Sequence, residues 1–161
     1  MMRFSNTGSL FQYLPNTKDI LLKQSVINKA HNKHNISFES LYDLPEKMHH
    51  PILVFKSSRN DVDGVVVLVE AKDNDGNNIT VAIDLNGKFN ELEVKDITSM
   101  YGKDSYAGYV AWANNILAGD EAKLKAWIAS LPENDKRGVS KSTLSKLQER
   151  LHQVLLDDAK V

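Results

Sequence analysis

Residues 65–101 read VVVLVEAKDNDGNNITVAIDLNGKFNELEVKDITSMY, and this stretch decides the fold. Val65–Ala71 is a run of β-branched and apolar residues, the composition of a strand. A polar segment, 72–78, follows it, and Asp75-Gly76 supplies a hairpin turn there. Ile79, Val81, Ile83 and Leu85 then alternate with Thr80, Ala82 and Asp84, the period of a second strand with one apolar face. Asn86-Gly87-Lys88 makes another turn, and a further strand spans Leu92–Tyr101. Its alternation slips phase at Asp96-Ile97, which predicts a bulge or bend. Short connections between successive strands imply antiparallel pairing.

Upstream, Pro51–Lys56 is one more apolar strand, with proline at its first position where a missing N–H does least harm. Before it, Asn16 or Thr17 caps a helix expected over Lys18–Lys33, with Ile20 and Ile27 on one face and His31 and His34 beside that stripe. Ser37 caps a short helix, Phe38–Asp43. Leu44-Pro45 is expected to end it, because the residue before proline avoids the helical region. Residues 46–50 then read as a turn.

Downstream, Tyr106, Tyr109, Val110, Ala113, Ile116 and Leu117 have helical spacing, which predicts a helix over Ser105–Leu117 ended by Gly119. Asp120 caps the next helix, whose apolar face is Leu124, Trp127, Ile128 and Leu131. A charged linker, Pro132–Gly138, precedes a last helix capped by Ser140 or Ser142. The expected class is α+β: N-terminal helices, a four-stranded antiparallel sheet, then C-terminal helices. The expected division is an arm at 1–15, a domain at 16–131, and a linker with a terminal helix at 132–161 that packs on the domain or binds a partner.

The 161 residues are 42% hydrophobic and 25% charged, ordinary globular composition. A net charge of −1 argues against a dedicated duplex-DNA binder, which carries a strong basic balance. Cysteine is absent, which removes disulfides, thiolate metal sites and cysteine nucleophiles together. No apolar run approaches the roughly 18 residues that span a bilayer. The first residues are too polar for a signal peptide. A cytoplasmic place of action is therefore expected.

Several side chains can carry chemistry. His31 and His34, three apart on a helix, lie on one side of it, and histidine is the side chain best suited to general acid–base work near neutrality. They make a poor metal pair, because a helical zinc pair is spaced His-x-x-x-His. His49-His50 is a second pair nearby. Ser99, Tyr101 and Lys103 place a hydroxyl, a phenol and an ammonium at a strand end, donors suited to a phosphate, and Gly102 permits close backbone approach. Ser57 and Arg59 follow the first strand, and Arg59 has the fork for bidentate phosphate binding. Glu70 interrupts an apolar strand, where it either faces solvent or enters a cleft as a base or a histidine-orienting group. No glycine-rich phosphate loop and no Gly-x-Ser-x-Gly turn is present.

Three segments, taken in order, carry a resemblance: KAHNKHNISFESLYDLPEKMHHPILVFKSS (29–58), VVVLVEAKDNDGNNITVAIDL (65–85) and VKDITSMYGKDSYAGYVAW (94–112). Together they resemble the C-terminal domain of phage MuF-type head proteins over roughly residues 15–130. That family is placed in the barnase–EndoU–colicin–RelE-like nuclease group, as a toxin module. The resemblance implies a ribonuclease that needs no cofactor, acting on RNA such as tRNA and opposed by an immunity protein. It implies catalytic roles for His31 or His34, Ser99 and Tyr101, and substrate contacts from Lys103, Ser57, Arg59 and Glu70. The implied chemistry is attack of a 2′-OH on the adjacent phosphate, with a base, an acid and donors to the charged intermediate. The competing expectation is a non-catalytic protein-binding module on the same scaffold, which the near-neutral charge favours.

Overall fold

Val65 to Val69 are all buried, at odd and even positions alike. A strand takes that pattern only where both faces of its sheet are covered. The computed structural model describes residues 2–4, 20–59, 63–89 and 92–159, and the sheet built on this strand lies between two helical layers.

Among the described residues the sheet has seven strands. They are β1 (Met2–Phe4), β2 (Ile20–Leu22), β3 (Leu53–Lys56), β4 (Gly64–Lys72), β5 (Asn78–Phe89), β6 (Leu92–Gly102) and β7 (Ile116–Gly119). Their order across the sheet is β1-β2-β6-β5-β4-β3-β7. The two hairpins of 65–101 form its centre, with Val67 opposite Val81 and Val81 opposite Met100. The expected four-stranded antiparallel sheet is corrected: β2 runs parallel to β6, and β1, β2 and β7 extend the edges.

The helices are α1 (Gln24–Lys33), α2 (Phe38–His49), α3 (Tyr106–Ala111), α4 (Glu121–Ser130) and α5 (Ser145–Ala159). One core joins α1 and α2 to Val65, Val67, Val69 and Val81. The other joins α3, α4 and α5 to Phe55, Val66 and Leu68. The class is α+β, and the alternation of β4 sends its side chains to the two layers in turn.

Four local expectations are corrected, each for a packing reason. Asn86-Gly87-Lys88, expected as a turn, continues β5 to Phe89, and Gly87 lies opposite Val94 where a Cβ would come within 2.6 Å of the Asp96 side chain. Ile20–Leu22 is a strand where a helix over Lys18–Lys33 was expected. Ile20, Leu21 and Leu22 are fully buried, and three consecutive apolar residues are sheltered by a sheet with two covered faces better than by one helix stripe. The arm residues 5–15 and the caps Asn16 and Thr17 lie outside the described residues. The second helix runs through Pro45 to His49. Leu41, Leu44 and Met48 are buried at helical spacing. Burying two further large side chains contributes about 3–6 kcal/mol, which offsets the roughly 3 kcal/mol that an interior proline costs. The helix expected over Ser105–Leu117 ends at Ala111, and Ile116–Gly119 pairs with β3. There Ile116 and Ala118 are buried while Leu117 is exposed, so a period of two prevails. A Cβ at Gly119 would lie 2.7 Å from the Ile52 carbonyl, so that approach of two backbones needs glycine.

β6 does bulge, at Thr98: the register passes from Ile83–Ile97 to Ala82–Ser99. Asp120 caps α4, its carboxylate accepting the Lys123 N–H at 3.0 Å. Ser140 heads a short 3-10 turn, Lys141–Leu144, that leads into α5. Leu144, Leu147 and Leu151 are fully buried in the second core, so the 3-10 turn and α5 pack against this face of the sheet.

Candidate active site

β2 touches β6 only at Lys95 and Asp96 among the described pairings. Beyond that point α1 takes over from β2. Its ten residues measure about 15 Å, and β6 from Ile97 to Tyr101 covers about 13 Å. The helix therefore finishes at the level of Tyr101. Lys23, just ahead of α1, anchors this layer through its ammonium, 2.9 Å from the Asp96 carboxylate.

The two histidines at the end of α1, His31 in its last turn and His34 just after it, have different fates. His31 donates from Nδ1 to the Ile36 carbonyl at 2.9 Å, and its ring stacks on Phe38 with centroids 3.8 Å apart. It thereby fastens the turn that follows the helix. His34 lies half-buried with its ring 6.1 Å from that of Tyr101, tilted by 51°. Its Nε2 is buried and has no hydrogen-bond partner among the described residues. Burial, and then the charges of Lys29 and Lys33, hold its pKa below the ordinary histidine value of 6.5. The imidazole is therefore in its neutral form near neutrality.

The turn between α1 and α2 depends on Asn35, whose φ of 53° lies in the left-handed region that asparagine tolerates. Its carbonyl accepts the Asn74 N–H at 2.9 Å, and its side-chain oxygen accepts from the Asn74 amide at 3.0 Å. The β4–β5 hairpin is thus clasped to the helix end. Asp73 organises that hairpin by accepting the N–H groups of Asp75 and Asn77, each at 2.9 Å. Its second oxygen sits over Gly102, where a Cβ would come within 2.0 Å of it.

Lys103 continues from Gly102. Its N–H donates to the Asn78 carbonyl at 3.0 Å, and its carbonyl accepts from the Tyr109 hydroxyl at 2.7 Å. The ammonium lies 4.0 Å above the Trp112 ring, a cation–π contact. Burial lowers its pKa; Asp104 opposes that shift and Arg137 adds to it. A cleft of about 230 Å³ opens here between the hairpin tip and the 131–136 segment. Asp135 closes its far wall, accepting the N–H groups of Tyr106, Arg137 and Val139. Those bonds hold its carboxyl below the usual carboxylate range.

The structure brings His34, Tyr101 and Lys103 to one end of the sheet. Ser99, half-buried, lies two residues before Tyr101, opposite Ala82. Ser57 and Arg59 are at the other end. The Ser57 N–H bonds Gly64, which pairs with Asp84, which pairs with Asp96. That row is about 15 Å along β6 from Tyr101. Glu70 is on the side of β4 that faces α4 and pairs with Lys123, so its partner is a lysine rather than a histidine. His50 ends α2, its N–H donating to the Lys47 carbonyl at 3.3 Å. Among the described residues no group of three or more His, Asp or Glu side chains is placed to hold a metal ion.

Asp73, Asn78 and Trp127 belong to this region, and the sequence reading passed over them. The polar run 73–78 has the composition of a turn, and Trp127 has the spacing of a core residue. The register opposite Gly102 was the available signal, since it sets Ile79, and so Asn78, beside Lys103.

Together the fold and this junction define an α+β domain with an imidazole and a phenol brought together where a helix end meets a strand end, and an ammonium two residues further along, over Trp112. Residues 25–128 match the phage MuF-C-terminal domain, and the chain belongs to that family. No curated protein and no solved structure matches the chain. The matched region runs from the second residue of α1 through most of α4; β1, β2 and α5 fall outside it. No described helix is long and apolar enough to cross a membrane.

Proposed function

We propose that this domain cleaves RNA without a metal, by attack of a 2′-OH on the adjacent phosphate, as a toxin-type endoribonuclease of the barnase–EndoU–colicin–RelE-like group. The observation that carries the reading is the meeting of His34, with its unpartnered Nε2, and Tyr101. A neutral imidazole takes the 2′-OH proton and, once protonated, returns it to the leaving 5′-oxygen. The Tyr101 hydroxyl donates to the phosphate oxygens as charge builds, and Lys103 offsets that charge. His31 holds the turn through its Nδ1 and its ring face, and this reading gives the reacting role to His34, the imidazole that meets Tyr101. Ser57, Arg59 and Glu70 have no part in this step. An immunity protein that covers the junction is the partner this activity requires.

The test is incubation of the purified protein with total RNA and with tRNA, with and without EDTA. Cleavage that is indifferent to EDTA and leaves cyclic-phosphate ends is expected. Intact RNA with folded protein, or cleavage abolished by EDTA, overturns the reading.

A second reading, a protein-binding module, draws on the exposure of Phe38 (47%) and Tyr42 (73%) on α2. It expects a stable complex with a protein partner and unchanged RNA.

A further inference from the structure

A second cleft, of about 330 Å³, lies along α4 beside the first. The two clefts share two lining residues, Asn78 and Trp127. Each of these is only 6% exposed. Each also carries a buried polar atom without a hydrogen-bond partner among the described residues: Asn78 Oδ1 and Trp127 Nε1.

The pair is chemically defined. Asn78 donates its amide N–H to the Val69 carbonyl at 3.1 Å, which leaves Oδ1 as an acceptor. That carbonyl is in reach because β4 is irregular between Leu68 and Lys72. Indole nitrogen can only donate. The wall between the clefts therefore offers one donor and one acceptor, held on a strand end and on a helix.

The charged groups nearby are largely committed. Glu70 pairs with Lys123, Asp104 faces Lys136 and Arg137 at 3.9 and 3.8 Å, and Asp135 is bonded by three N–H groups. A neutral, planar ligand that carries both an acceptor and a donor suits such a wall. Tyr109, edge-on to Trp127 with centroids 5.0 Å apart, adds an aromatic surface. Lys103, which lines the first cleft, supplies a cation for an attached phosphate.

We propose that Asn78 and Trp127 form a nucleobase subsite that reads one hydrogen-bonding edge of a base in the RNA strand, its phosphate directed to Lys103. This rests on the RNA-cleaving reading above but is tested by binding alone.

The experiment uses the full chain with His34→Ala, so that no substrate is consumed. The indole N–H resonance of Trp127 is assigned by its persistence in Trp112→Phe. The four nucleoside 3′-monophosphates, ribose 5-phosphate and an N-acetylated amino-acid amide are titrated in turn. The expected result is a saturable shift of that resonance with at least one nucleotide and none with ribose 5-phosphate. Asn78→Ala is expected to weaken this binding at least tenfold. If that variant fails to fold, Trp127→Phe, which keeps a ring and loses the N–H, is expected to weaken it similarly by equilibrium dialysis. An equal shift with ribose 5-phosphate, a shift with the amide alone, or unchanged affinity in the folded variants overturns the subsite. Nucleotide binding by a chain whose wild type leaves RNA intact sinks the cleavage reading and keeps the subsite. Cleavage without nucleotide binding does the reverse.

Discussion

The rings of His34 and Tyr101 stand 6.1 Å apart, one capping the end of a helix and the other near the end of a strand more than sixty residues later. If that meeting is the catalytic centre, His34→Ala lowers RNA cleavage by about 10²–10⁴-fold, the usual contribution of a general acid–base group. Tyr101→Phe removes only the hydroxyl and lowers it by about 10²–10³-fold. His31→Ala, acting through the turn, costs less than either. Initial rates on a short RNA, with circular dichroism to check folding, decide the order. A His31 effect larger than that of His34 would reverse the assignment.

The depressed pKa of His34 has two consequences for pH dependence. As a base it stays competent below pH 6.5, so the acid limb of the rate profile falls below that value. For stability, the unfolded chain takes up a proton at this site before the folded one does. Its contribution is therefore intact above about pH 6.5 and is lost as pH falls from there toward the folded-state value. His34→Gln is expected to flatten that part of the stability curve, measured by denaturant unfolding at pH 7.5, 6.5 and 5.5.

Gly102 sits beneath the Asp73 carboxylate, which two N–H bonds hold in place. Gly102→Ala is expected to cost about 1–3 kcal/mol, as forced overpacking does. Adding Asp73→Ala relieves the clash, so the double variant is less destabilised than the sum of the two singles. Strict additivity in a double-mutant cycle would count against this contact.

α5 lies beyond the matched region and still fills the second core. Leu147→Ala or Leu151→Ala is expected to destabilise by about 2–5 kcal/mol. A chain ending at residue 131 uncovers Phe55, Val66 and Leu68 and is expected to lose its cooperative unfolding transition. Retention of that transition would mean that the terminal helix is dispensable to the fold.

The first central hairpin was legible because its signals are local: Asp75-Gly76 and the alternation of Ile79 to Leu85 need no distant partner to be read. The turn of the second was misplaced, because Asn86-Gly87-Lys88 has turn composition and yet pairs with β6. Ile20–Leu22 and Ile116–Gly119 were not, because three or four apolar residues suit a helix or a strand equally until a neighbour is known. Pro45 misled for a related reason, since its penalty is local and the burial of Leu44 and Met48 is not. At the site, His34, Tyr101 and Lys103 stood out by residue type. The division of labour between His31 and His34 did not, because it turns on the Ile36 carbonyl and the Phe38 ring. Ser57 and Arg59 looked close to the histidines along the chain, and only the strand order reveals that the sheet's length separates them.

The parallel pairing of β2 with β6 joins Ile20 to Lys95. During synthesis the first of these leaves the ribosome long before the second. Closing a loop of about 75 residues is an entropic cost met only after the central hairpins exist to receive the strand. The apolar Ile20–Leu22 segment is therefore expected to dock after those hairpins form. Since α1 delivers His34 to Tyr101, a chain stopped before β6 is complete is expected to carry no such centre.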